Sequence, residues 1–212
     1  YASQVLLNHP DSEVAEDALL IKAQAESELG KTEVAYNTFL ELEKHASGSN
    51  MLRDARLGMM RTAMDLGKYA EAMNTAEKLL SSTATNSPTD VAEVKFVRGM
   101  ANEHMGNHDA AYEDWEALAA NPADIFGAKS AYYHAQSLFD RGLISEAKSA
   151  ADSLITADTP HRYWLARTFV LYSDILRKQG NDFEANEYLK SLRNNYPGPE
   201  VDIYQMIDTR LK

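Results

Sequence analysis

The chain contains no cysteine among its 212 residues. Disulfides, thiolate zinc sites and cysteine nucleophiles are therefore excluded. Proline is scarce, at six residues, and glycine contributes only ten. That is too little for a collagen-like or linker-like chain. No apolar run comes near the roughly 20 residues a helix needs to cross a bilayer. Convincing runs of alternating apolar and polar residues, the mark of half-buried strands, are missing. Excess positive charge is missing as well, since the formal net charge is -11. A surface of that sign repels phosphate and argues against a nucleic-acid partner.

What is present has the balance of an ordinary folded protein, 44% hydrophobic and 25% charged. The charge is uneven. Residues 1–48 hold nine acidic and three basic side chains, whereas residues 160–212 hold seven and eight. Solubility accounts for this simply, and two docking surfaces of different sign is the sharper reading. The chain opens on Tyr1 rather than methionine, which predicts a piece of a longer protein.

The strongest signal is an internal period. Gly30, Gly67, Gly106, Gly142 and Gly180 are separated by 37, 39, 36 and 38 residues. Each opens the same pattern of Gly, four residues, Ala, six residues, Leu. The alanines are Ala35, Ala72, Ala111, Ala147 and Ala185, and the leucines are Leu42, Leu79, Leu118, Leu154 and Leu192. Glycine closes a helix in a left-handed conformation at little steric cost. Ala and Leu seven apart share one helical face, the Ala admitting a close neighbour and the Leu filling space beyond it. An amphipathic stretch also precedes each glycine. Ten residues upstream stand Leu20, Leu57, Phe96, Tyr132 and Val170, and seven upstream the mostly small Ala23, Met60, Gly99, Ala135 and Ser173. The unit is helix, tight turn, helix. Pro10, Pro88, Pro122, Pro160 and Pro197 fall between units, where proline suits a connector or a first helical turn.

With the Gly-x4-Ala spacing, the earlier small residue and the trailing proline, the chain resembles the tetratricopeptide repeat. Lys22, Arg98 and His134 stand where that family usually has Leu, and Ala76 and Ala151 replace an aromatic that Phe39 and Trp115 keep. The resemblance implies an all-α fold, a right-handed α-α superhelix of about five hairpins plus a C-terminal capping helix. The expected repeats are 11–48, 49–86, 87–121, 122–158 and 159–197 in a single solenoid domain. Residues 1–9 read as the second helix of a truncated repeat, because Val5 precedes Pro10 as Leu192 precedes Pro197. Residues 198–212 read as the capping helix, with Val201, Tyr204, Ile207 and Leu211 as its apolar stripe. Phrases such as NHPDSEVAEDA are similar to tetratricopeptide proteins of the Gram-negative cell envelope. That likeness favours a periplasmic or outer-membrane-associated setting, with a cytoplasmic one left open.

Nothing marks catalysis. His104 and His108 lie four apart, but Gly106 breaks the helix between them, so a shared metal ion is not expected. Acidic pairs such as Glu41 with Glu43 read as solvated faces rather than acid/base machinery. No nucleophile elbow, phosphate loop or dinucleotide pattern is present. The expectation is no enzyme activity, no cofactor, no metal and no small-molecule substrate.

In the family, first helices line a concave groove. Carried over, the resemblance implies partner contacts at Phe96, Met100, Tyr132, Gln136, Phe139 and Arg177. The upstream row is apolar and the next offers only Arg61 as a cation, which disfavours the carboxylate clamp some members use. An apolar or aromatic peptide, or a helix, fits better, although such rings also serve as packing between helices. The segment HRYWLAR puts cations and aromatics on one helix start. It reads either as a docking patch or as Trp164 stapling the fourth hairpin to the fifth with the arginines in water. The function expected is a protein-interaction scaffold. The alternatives are a structural spacer in a larger envelope protein, which would touch a membrane only through its parent, and an accessory domain of an upstream enzyme.

Overall fold

The computed structural model describes residues 13–82 and 87–211, and all regular structure among them is helical. The expected helix at 1–9 lies outside the described residues. The helices are α1 (Glu13–Glu28), α2 (Thr32–His45), α3 (Ser49–Asp65), α4 (Tyr69–Leu80), α5 (Pro88–His104), α6 (His108–Ala119), α7 (Ile125–Asp140), α8 (Ile144–Thr156), α9 (Arg162–Lys178), α10 (Asp182–Asn195) and α11 (Val201–Arg210). None among the described residues is long and apolar enough to cross a membrane. The chain forms two compact units, Tyr1–Ala111 and Tyr112–Lys212, with the boundary inside α6.

Each hairpin turn closes the same way. The five period-setting glycines have φ between 70 and 82°, a region that costs any residue with a Cβ. The glycine amide donates three residues back and the following amide donates five back. Gly30 to Ser27 and Lys31 to Glu26, both at 2.9 Å, are one such pair, and the same two bonds recur at the other four turns. This is the Schellman closure, which satisfies carbonyls the ending helix would otherwise strand. Connectors supply the opposite ends. Ser87 and Asp90 cap α5 reciprocally with Pro88 in the first turn, and the Asp124 carboxylate accepts from the Phe126 amide at 2.8 Å to open α7.

The periodic alanines Ala35, Ala72, Ala111, Ala147 and Ala185 are all fully buried. Within unit 1 each helix packs on the next, α1 through α5, and the first helices also touch one another, α1 on α3 and α3 on α5. Unit 2 repeats the arrangement from α7 to α11, with α7 on α9 and α9 on α11. Thus α11 takes the place a further first helix would occupy. Its apolar stripe differs from the expected one. Ile203 and Ile207 are buried against Val170 and Leu189, joined by Tyr204 and Leu211, whereas Val201 is 65% exposed. Val201 begins the helix only two residues before Ile203, about 200° around the axis, so it cannot share that face.

Candidate functional site

The row ten residues before each glycine sits deeper than expected for a binding face. Leu57, Tyr132 and Val170 are buried, and only Leu20 and Phe96 are half-open. Accessibility begins at the rows six and three before the glycine. In unit 1 these rows carry Gln24, Arg61 and Met100, then Ser27, Met64 and Glu103. Arg61 is already neutralised by a two-pronged contact from α3 to Glu93 on α5, with Nε and Nη2 at 2.5 and 2.6 Å. Phe96 and Met100 both lie half-buried on α5.

Unit 2 treats a first-helix cation differently. Arg167, on α9, stands half-buried between three rings, with its guanidinium carbon 4.8 Å from the Tyr132 ring, 5.8 Å from Tyr163 and 5.7 Å from Trp164. Arg167 Nη2 donates to the Tyr132 hydroxyl at 3.1 Å, and Nη1 donates to the Tyr163 hydroxyl at 3.2 Å. Each hydroxyl passes its own proton on. Tyr132 donates to Gln136 Oε1 at 3.1 Å, and Gln136 donates to Asp140 Oδ1 at 2.9 Å. Tyr163 donates to Asp202 Oδ2, on α11, at 2.7 Å. The charge is balanced at one remove through tyrosines, and a polar network ties α7, α9 and α11 together. Arg167 Nε is buried without a hydrogen-bond partner. Burial outweighs the neighbouring guanidinium and holds the Tyr132 phenol above its ordinary range, so it stays a neutral donor.

Trp164 does pack between helices. Its ring lies 5.6 Å from Tyr132, 5.7 Å from Tyr133 and 5.1 Å from Tyr163, joining α9 to α7. The expectation that its arginines stay in water holds for exposed Arg162 but not for Arg167. Arg177 is also committed, donating to Asn186 Oδ1 at 2.7 Å and to the Arg210 carbonyl at 2.8 Å. Arg210 in turn grips both carboxylate oxygens of Asp174, at 2.9 and 2.7 Å. Of the expected contact residues in unit 2, Tyr132 is buried, Arg177 is pinned by α11, and Gln136 and Phe139 keep a half-open edge.

Two residues beyond Tyr132, on the far side of α7, His134 lines a cleft of about 500 Å³ with Tyr112, Glu116, Glu146 and Ser149. Tyr112 stands edge-on to it at 4.4 Å and donates to Glu116 at 3.2 Å. Burial lowers the His134 pKa from 6.5, only partly countered by Glu116, and Nε2 has no partner. One repeat on, the matching trio is Lys148, Asp152 and Tyr172, in which Lys148 Nζ donates to Tyr172 at 2.6 Å and to Asp152 at 3.1 Å. The cleft beside that second repeat, about 590 Å³, is lined by Phe169, Tyr188 and Leu192. In the HMGNH turn, His108 pairs with Glu103 at 2.8 Å while His104 stacks on Tyr69 at 4.2 Å, so the two rings serve separate partners. No cluster of three potential metal ligands occurs among the described residues.

The tetratricopeptide repeat family profile matches residues 163–199. No match to a curated protein sequence was found. Solved structures of similar shape include YrrB, a tetratricopeptide protein with an unusual peptide-binding site. It has a TM-score of 0.61 and 15% identity, with 98% of this chain and 96% of that one covered. MamA from Desulfovibrio magneticus gives 0.66 at 16% identity, covering 84% and 93%. A tetratricopeptide repeat protein from Parabacteroides merdae gives 0.61 at 14%, covering 100% and 90%. The fold is that of the tetratricopeptide solenoids, and α9 with α10 carries the recognisable repeat.

Proposed function

We propose that this chain, a stack of tetratricopeptide-type hairpins, is a non-enzymatic scaffold that holds a protein or peptide partner on the first-helix face of unit 2. The observation that carries this is the network from Asp140 through Gln136, Tyr132, Arg167 and Tyr163 to Asp202. It fixes aromatic rings and a guanidinium that no carboxylate touches directly, so little side-chain entropy is left to lose on binding. Phe139 and Gln136 form the open edge, and Arg167 offers charge to an acidic or carbonyl-rich segment. Phe96 and Met100 are a second contact surface, belonging to unit 1. The fold shared with a peptide-binding protein, YrrB, supports the reading. No cofactor or nucleic acid enters it.

The test uses peptides selected from a random library against the whole chain. Binding is then measured to the native chain, to Phe139→Ala and to Arg167→Gln. Loss of at least about tenfold in both variants is expected, as for hot-spot residues. Selected peptides that bind all three equally well would remove the basis for this face.

A further inference from the structure

The cleft beside His134 is a place that the next repeat fills with its own side chains. Counted from the turn glycines, Tyr112, Glu116 and His134 hold the positions of Lys148, Asp152 and Tyr172. In the later trio Lys148 supplies the cation, donating to Asp152 at 3.1 Å and to the Tyr172 hydroxyl at 2.6 Å. One repeat earlier the same positions hold Met73, Glu77 and Arg98, again a carboxylate together with a cation. Of these three trios, only the middle one has a carboxylate without lysine or arginine. Tyr112 donates to Glu116 there, which satisfies an oxygen but brings no charge. Among the described residues no lysine or arginine pairs with Glu116, or with Glu146, which also lines the cleft.

Space differs in the same direction. Ala131 on α7 and Ala150 on α8 line this cleft of about 500 Å³. Their counterparts are Phe169 and Tyr188, whose rings stack 6.1 Å apart, with Tyr188 also edge-on to Tyr172 at 5.3 Å. The cleft of the later repeat lies past those rings, toward Leu165 and Asn195, and Lys148, Asp152 and Tyr172 are not among its walls. The earlier repeat thus leaves open both the ring-sized volume and the ammonium position that the later one occupies. Leu138 and Leu154 keep its walls apolar, and His134 Nε2 is enclosed without a hydrogen-bond partner. The site lies across α7 from the Tyr132 network, so it is separate from the first-helix face.

We propose that this cleft receives a lysine beside an aromatic ring, both on one segment of a partner protein. The ring lies on Ala131 and Ala150, the lysine stem covers the apolar wall, and Glu116 accepts the ammonium as Asp152 accepts that of Lys148. The probe is an acetylated pentapeptide amide with lysine at its centre, phenylalanine on either side and glycine at both ends. It is titrated into the full chain while the His134 imidazole and Tyr112 ring signals are followed by NMR. Saturable shifts are expected. Binding should weaken at least about tenfold when norleucine replaces the peptide's lysine, and as much on Glu116→Gln. Tyr112→Lys, which rebuilds the later repeat's cation beside Glu116, should weaken it equally. Tyr112 and Glu116 are both exposed, so these substitutions leave the core intact. Shifts that do not saturate overturn the proposal, as does equal binding of the lysine and norleucine peptides or equal binding by the native and Tyr112→Lys chains. Butylamine that acts at the same concentration as the peptide overturns it in favour of a small amine. Tighter binding when arginine replaces the lysine overturns it in favour of a guanidinium.

Discussion

Unit 1 and unit 2 use the same hairpin and fill it with different side chains. Seven of the eight methionines lie between Met51 and Met105, in unit 1. Both tryptophans and eight of the eleven tyrosines lie from Tyr112 onward, in unit 2. Methionine is unbranched and fills irregular gaps in many conformations. Aromatic rings have few torsions and preferred contact geometries, and their polar tips need partners. The difference shows in how each unit treats an arginine on a first helix. Arg61 reaches a carboxylate directly on an exposed surface, whereas Arg167 is held between rings whose hydroxyls relay its charge. From these contents unit 1 is expected to adapt more readily than unit 2.

The sharpest way to break that contrast is truncation in the aromatic half. Trp115 is 1% exposed, and Trp115→Ala is expected to lose about 3–5 kcal/mol in denaturant unfolding. Met60, fully buried in unit 1, is expected to tolerate Met60→Leu at under about 1.5 kcal/mol. Similar losses in the two variants would mean that both cores are equally rigid.

Two of the helical glycines, Gly127 and Gly58, give an intermediate test. A methyl group at Gly127 would drive into the Asn121 backbone carbonyl, whereas at Gly58 it would meet the ring of Phe39 beside pliable Met59. Gly127→Ala should cost about 1–3 kcal/mol or more, and Gly58→Ala less, in thermal or denaturant unfolding. The reverse order would place the rigid packing in unit 1.

The smallest effect is one of pH. His134 has its pKa lowered by burial in the native state, so the unfolded chain binds the proton more readily. Its contribution to stability is therefore complete above pH 6.5 and falls as pH drops below that value. His134→Leu should flatten this acid-side slope in melting temperatures followed between pH 5 and 8. A slope unchanged by the substitution would assign the acid sensitivity to other groups.

The fold was legible because its punctuation is local. A Schellman turn needs a left-handed residue wherever it occurs, so five glycines announce five turns without knowledge of what packs around them. The apolar rows were legible as helix faces but not as depths. Nothing in the spacing says that Tyr132 is enclosed while Phe139 keeps an open edge, since that depends on rings arriving from α9. Arg167 stood out with its segment but was expected in water, because the position thirteen before the glycine has no fixed residue type and nothing in it announces the rings that enclose the guanidinium; Asp202 escaped notice because it lies on a helix outside the repeat. The terminal stripe was misphased for a local reason: the placement of the first turn decides whether Val201 or Ile203 faces inward.

Placing both indoles in unit 2 has an optical consequence. Trp115 and Trp164 are the only tryptophans, each within about 7 Å of tyrosine rings. The intrinsic emission of this molecule therefore reports on one half of it. A partner settling against Arg167 and Trp164 should change the colour or yield of that light, whereas one settling on Phe96 and Met100 should leave it unchanged. The same cuvette can thus tell the two docking surfaces apart without a label.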